Sequence, residues 1–223
     1  LNALFLEHEN FPENFVALVV SGGHTSLYQV KSFGNYKLIG ATRDDAAGEA
    51  FDKVAKLLDL GYPGGPLIDK LATKGNTKAF SFTKPRFADE TENDFSFSGF
   101  KTAALLKYQK AEKENKLDCQ FKADLAASFQ SAVVELLVER LINTAKKLNA
   151  AGVVISGGVA ANRHLRNRAQ AEAEKANLRF AVPSAKLCTD NADMIAYVGE
   201  RYLKLGKRSD LTLNAIANQE IGV

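Results

Sequence analysis

Residues 151–158 read Ala151-Gly152-Val153-Val154-Ile155-Ser156-Gly157-Gly158, an apolar run of strand length that stops at a serine and two glycines. A short unbroken apolar run is the pattern of a buried strand. Helical periodicity follows from about Asn162 to Ala176, and strand, glycine turn and helix in that order make an α/β unit. The pattern occurs once before: Phe15-Val16-Ala17-Leu18-Val19-Val20 runs into Ser21-Gly22-Gly23. Such a turn presents backbone N–H groups with no Cβ in the way, so a phosphate or ribose can approach the main chain, and the serine hydroxyl adds a donor. Glycine pairs also simply end strands. Two near-identical copies in one chain favour the ligand reading, with a nucleotide clamped between two related lobes and one turn contributed from each side.

Outward from these turns, residues 25–31 and 36–42 alternate as two further strands around Ser32-Phe33-Gly34-Asn35, giving an antiparallel meander with the first run. Leu1, Leu4, Phe5 and His8 lie at helical spacing, with Asn2 as a weak cap, and read as a helix cut in its middle. From Asp45 the period is helical through Leu58, until Gly61-Tyr62-Pro63-Gly64-Gly65-Pro66 breaks it. Pro66 is well placed to start a short helix over 67–73. Residues 75–93 have no clear period and are expected to be mostly loop. Helices are predicted over 98–110 and 121–148, the second carrying an apolar stripe from Leu125 to Ile142. A strand over 178–182, a helix over 191–205 starting near Asp190, and a loose tail from Gly206 complete the chain.

The 223 residues suffice for one large domain or two small ones, with 46% hydrophobic and 25% charged side chains. Those proportions are ordinary for a globular protein with a real core. A net charge of +3 permits RNA contact but lacks the density of a dedicated nucleic-acid coat. The two cysteines, Cys119 and Cys188, form no CxxC pair, so neither a disulfide framework nor a thiolate zinc site is indicated. No apolar stretch approaches the ~18 residues of a membrane span, and no signal-like segment opens the chain. A soluble, cytoplasmic protein without membrane contact is the expectation.

Several clusters carry possible chemistry. Asp45 reads as a helix N-cap, and Asp45, Glu49 and Asp52 share one helix face, where like charges repel unless something polar or cationic meets them. A carboxylate there can accept ribose hydroxyls or hold a metal. Ser98 reads as the cap of the helix after Phe95-Ser96-Phe97, and Lys101 in its first turn opposes the macrodipole, which points to an anionic partner. Asn162 can cap its helix, touch a base or ribose, or both. His24 reads as a structural histidine. Asp190 opens the last helix, where an Asp is usually a cap, and one carboxylate does not make a metal site.

Six blocks in this order carry a resemblance: VSGGHT at 20–25, DDAAGEAFDKVAKLL at 44–58, YPGGP at 62–66, FSFSGFKT at 95–102, SGGVAANRHLR at 156–166 and CTDNADMIAY at 188–197. Together they resemble the TsaD (YgjD/Gcp) family, enzymes that attach threonylcarbamoyl to a tRNA adenosine beside the anticodon. The resemblance implies an α/β actin/Hsp70/sugar-kinase-like (ASKHA) fold, here an N-terminally truncated one. Residues 1–60 would supply the first Ser-Gly-Gly unit and 61–223 a helical and α/β region with the second. It implies threonylcarbamoyl-AMP, or ATP/ADP, as ligand and tRNA as acceptor. Val19, Val20, Ser21, Gly22, Gly23, Asp52, Gly65, Asp69 and Asn162 match the family's substrate-binding positions, and Asp190 its metal-binding aspartate. The metal the resemblance implies is iron as Fe(2+), or zinc, serving as a Lewis acid.

The family's other two metal ligands are histidines of an HxxxH helix placed just ahead of the position matching Leu1, so weak or no metal binding is expected of this chain. Transfer activity is then expected of the parent enzyme rather than of this chain alone. Two alternatives stand beside it. One is a non-catalytic interaction module working with TsaB- and TsaE-type proteins, whose open half-cleft could self-associate. The other is an ASKHA-type ATPase or small-molecule kinase. No HExxH or nucleophile–histidine pair supports a peptidase.

Overall fold

The two apolar runs form the centre of a five-stranded sheet. The computed structural model describes residues 1–87, 93–216 and 221. Its strands are β1 Phe15–Val20, β2 Thr25–Ser32, β3 Asn35–Ala41, β4 Gly152–Ser156 and β5 Arg179–Ala181, in spatial order β3-β2-β1-β4-β5. The expected meander is present, β1 pairing antiparallel with β2 and β2 with β3. β4 lies parallel to β1, with Val19 opposite Ser156, and β5 lies parallel to β4. The sheet thus draws strands from both 1–60 and 61–223. It also corrects the picture of two turns facing each other across a cleft, because parallel neighbours end at the same sheet edge and their Ser-Gly-Gly turns emerge side by side.

The unbroken apolar runs follow from burial of both faces. On one face, Val16, Leu18, Val20, Val153 and Ile155 join the main core with Phe51, Phe129, Leu137 and Leu165. These last four belong to α1 Ala47–Leu57, α4 Cys119–Lys147 and α5 Arg163–Lys175. On the other face, Phe15, Ala17 and Val154 pack with Leu4 and Phe11. The remaining helices are α2 Gly64–Ala72, α3 Ser98–Lys113 and α6 Ala192–Lys204. Among the described residues, no helix is long and apolar enough to cross a membrane.

Several helix starts differ from the sequence reading. The opening stripe is a 3-10 turn, Asn2–Leu6, and Asn2 caps nothing; its amide donates to the Tyr36 hydroxyl at 2.7 Å. α1 starts after Ala46, while Asp45 turns to Lys53 at 2.8 Å and Lys101 at 2.7 Å. α2 starts at Gly64, so Pro66 sits within its first turn rather than ahead of it. Ser98 is the first residue of α3 and donates its hydroxyl to Asp44, which also accepts the Phe97 and Ser98 amides. Asp44 therefore caps α3 from a distant loop. Asn191, not Asp190, caps α6 by accepting the Met194 amide at 2.9 Å. Of the expected loop over 75–93, residues 88–92 lie outside the described residues, as does part of the tail.

Candidate functional site

The first turn closes on itself. Ser21 Oγ accepts the Gly23 amide at 3.3 Å and the His24 amide at 3.0 Å, and the Ser21 amide donates to the His24 carbonyl at 2.8 Å. Two of the N–H groups expected to be free for a ligand are thus used within the loop, which holds its shape before any ligand arrives. The N-terminus of α1 is seated on this loop: the Gly48 amide donates to the Ser21 carbonyl at 3.1 Å and the Ala47 amide to buried Thr25 Oγ1 at 2.9 Å. Only glycine fits at 48, since a Cβ there would stand 2.5 Å from the Ser21 carbonyl oxygen.

A cavity of about 640 Å³ opens between two walls. One wall is α1 and α2, contributing Asp52, Gly65 and Asp69; the other is the two turns and the start of α5, contributing Gly22, Gly158, Asn162 and Arg163. Five of the nine matched positions, Gly22, Asp52, Gly65, Asp69 and Asn162, therefore share one space of the ~300–1,000 Å³ that small-molecule sites occupy. Asp52 is fixed by accepting the Gly64 amide at 2.7 Å. Asp69 is fixed by Arg163, whose Nε donates to Oδ2 at 3.0 Å. Asn162 fills the expected cap role, Oδ1 accepting the Leu165 amide at 2.9 Å, while Nδ2 donates to Gln130 Oε1 at 2.8 Å. A Cβ on Gly65 would meet nothing within 4 Å, so no protein atom there demands glycine.

The other matched positions are elsewhere. Val19, Ser21 and Asp190 line a second cavity of about 800 Å³, which meets the first at Gly158 and Thr189. His24 also lines it. Val20 is fully buried in the main core, and Gly23 lines neither cavity. Asp190 is exposed, and among the described residues no three His, Cys, Asp or Glu side chains come together as a metal site. The donor set does not fit iron or zinc on its own: a single exposed carboxylate supplies one hard ligand where such ions are held by several.

Two of the three carboxylates expected to share this face, Asp45 and Glu49, are neutralised within the chain. Lys53 bridges Asp45 and Glu49 at 2.8 Å each, and Lys101 finds its anionic partner in Asp45. Hydrogen bonds from Lys101 and Lys53 hold the Asp45 carboxyl below its ordinary range. Partial burial alone would raise the Asp44 carboxyl, but hydrogen bonds from Ser96, Phe97 and Ser98 outweigh it and hold it low. The sequence reading missed Arg163 as a wall of the cavity. The signal was available: like Lys101, it is a cation in the first turn of a helix, against the macrodipole.

A mixed sheet with helices against it and paired glycine turns at the ends of its two central parallel strands defines an ASKHA-type lobe. The crystal structure of full-length HypF in the phosphate- and nucleotide-bound form superposes with a TM-score of 0.66 at 13% identity, covering 91% of this chain and 41% of that one. The activator of the 2-hydroxyisocaproyl-CoA dehydratase from Clostridium difficile with bound ADPNP superposes at 0.50 and 14% identity, covering 94% and 69%. More specifically, the model of the family TsaD, tRNA N6-adenosine threonylcarbamoyltransferase, matches residues 1–197, and the chain belongs to that family. Proteins named tRNA N6-adenosine threonylcarbamoyltransferase are 47% identical in Thermosipho africanus over 98% of this chain and 51% identical in Thermodesulfovibrio yellowstonii over 97%. The one from Clostridium perfringens is 49% identical over the whole chain. The chain spans about 65% of the length of each of these relatives.

Proposed function

We propose that this chain forms the adenylate-holding lobe of a tRNA N6-adenosine threonylcarbamoyltransferase. In that reaction the exocyclic amine of a tRNA adenosine attacks the carbamoyl carbon of threonylcarbamoyl-AMP. A C–N bond forms, the C–O bond to the phosphate breaks, AMP leaves and the amine gives up a proton. The observation that carries the reading is the convergence of Gly22, Asp52, Gly65, Asp69 and Asn162 on one cavity from four separate elements of the chain. The two carboxylates supply acceptors for ribose hydroxyls, and the glycines let a flat ligand lie close to backbone. Val19, Ser21 and Asp190 would face the far end of an extended ligand in the adjoining cavity. Asp190 would be this chain's single contribution to a metal centre, iron or zinc.

The test is an amide-resolved NMR titration with ADP. Shifts centred on Gly22, Asp52, Gly65, Asp69 and Asn162 are expected; saturable binding that leaves all five unmoved would overturn the assignment.

A second reading, an interaction module that associates with TsaB- or TsaE-type proteins or with itself, draws on α6. None of its residues is buried, and Ile195 is 68% and Leu203 55% exposed. Apolar surface of that kind marks contact sites. Sedimentation showing a monomer at high concentration, and no complex with either protein type, would remove this reading.

A further inference from the structure

We propose that Arg163 is a positioning residue: through its ion pair it sets the Asp69 carboxylate so that the free oxygen accepts a ribose hydroxyl in the cavity. The inference rests on the adenylate reading above.

Asp69 and Arg163 stand on opposite walls, on α2 and α5, and theirs is the ion pair joining these two helices among the described residues. The pair is asymmetric, the Asp69 side chain being 14% exposed and that of Arg163 67%. The carboxylate is therefore the partner tucked into the wall, and the arginine reaches over from the rim to hold it. Asp52 is held in the same manner, one oxygen engaged by the Gly64 N–H. Each cavity carboxylate thus has one oxygen engaged by a protein N–H donor and a second oxygen without a hydrogen-bond partner among the described residues. A carboxylate pinned at one oxygen loses little rotamer freedom when a hydroxyl binds the other, which is how such a group orients a sugar.

The position of Arg163 argues the same way. It is the first residue of α5, whose first turn contains no acidic side chain, so the helix field disfavours a cation there. Asn162 already caps the helix, and Arg163 adds nothing to that end. Its contact with Asp69 is the reason on view for a guanidinium at this place.

The experiment compares adenosine with 2′,3′-dideoxyadenosine by NMR titration of the full chain as wild type, R163A, R163K, D69A and R163A/D69A, the spectrum of each variant also showing whether it folds. R163A is expected to weaken adenosine about five- to tenfold while leaving dideoxyadenosine within about twofold, with R163K between wild type and R163A. In the D69A background, adding R163A is expected to change nothing, because Arg163 acts through Asp69. Equal losses for both nucleosides in R163A, or additive losses in the double variant, would overturn the inference while leaving the adenylate reading intact. So would an R163A chain that keeps adenosine and loses only ADP, which would mean direct phosphate contact. A wild-type chain on which neither nucleoside nor ADP moves the cavity resonances would overturn both.

Discussion

Gly157 lies against the end of β1, where a Cβ on it would stand 2.4 Å from the Val20 carbonyl oxygen. Its φ of +95° is one that L side chains rarely adopt. These two facts together let the second Ser-Gly-Gly turn pass close against the end of the neighbouring parallel strand, beside the first turn.

Gly157→Ala should therefore destabilise strongly, combining about 1–3 kcal/mol for an extended, positive-φ backbone that is essentially reserved for glycine with about 1–3 kcal/mol of overpacking against a main-chain oxygen. Urea denaturation reads this directly. A loss under about 0.5 kcal/mol would contradict the crowding.

Gly65→Ala should do the opposite to stability. The position is in α2 with open space around a Cβ, and alanine exceeds glycine in helix preference by about 0.8–1 kcal/mol, so an equal or higher denaturation midpoint is expected. The added methyl would enter the cavity and weaken ADP binding. Unchanged affinity would show that no ligand approaches the backbone there.

Asn162 should separate its two hydrogen bonds. Asn162→Asp keeps the acceptor for Leu165 but removes the donor to Gln130, which is 5% exposed; Asn162→Ala removes both. Losing the cap costs about 1 kcal/mol, and stranding a buried amide about 1–3 kcal/mol more, so both variants are expected to be less stable and Ala the more so. Calorimetric melting of the two variants checks the order.

Asp44→Ala should cost about 1–2 kcal/mol, the ordinary value of an N-cap, by leaving the α3 amides of Phe97 and Ser98 without their carboxylate. The folded-state pKa of Asp44 is depressed. Its contribution is then present above the unfolded value and lost as pH falls through the folded one. The stability gap between wild type and Asp44→Ala should stay level from neutral pH down to about 5 and close below ~3.9. A gap that widens on acidification would reverse the sign.

Where the signal is local, the sequence reading and the structure agree closely. β1 was legible to the residue because a run buried on both faces can hold nothing polar, and Asn162 was legible as a cap because its side chain acts three residues away. The misplacements at Asp45 and Ser98 share one cause. Capping propensity assumes that a side chain turns to its own helix, whereas Asp45 found Lys53 and Lys101, and Ser98 found Asp44 more than fifty residues away. Arg163 carries the same local signal as Lys101, a cation in a first helical turn, but its partner Asp69 lies on another helix and is named only by the fold.

The sequence by itself determined the two strand–turn units, the family and the candidate residues, since periodicity, glycine turns and ordered motifs are properties of neighbours along the chain. Only the tertiary structure decided that the units lie on adjacent parallel strands, and that of the nine matched residues five share one cavity while Val20 is core. Strand pairing and side-chain packing are fixed by contacts between residues far apart in sequence, and those contacts exist only once the sheet has closed against its helices.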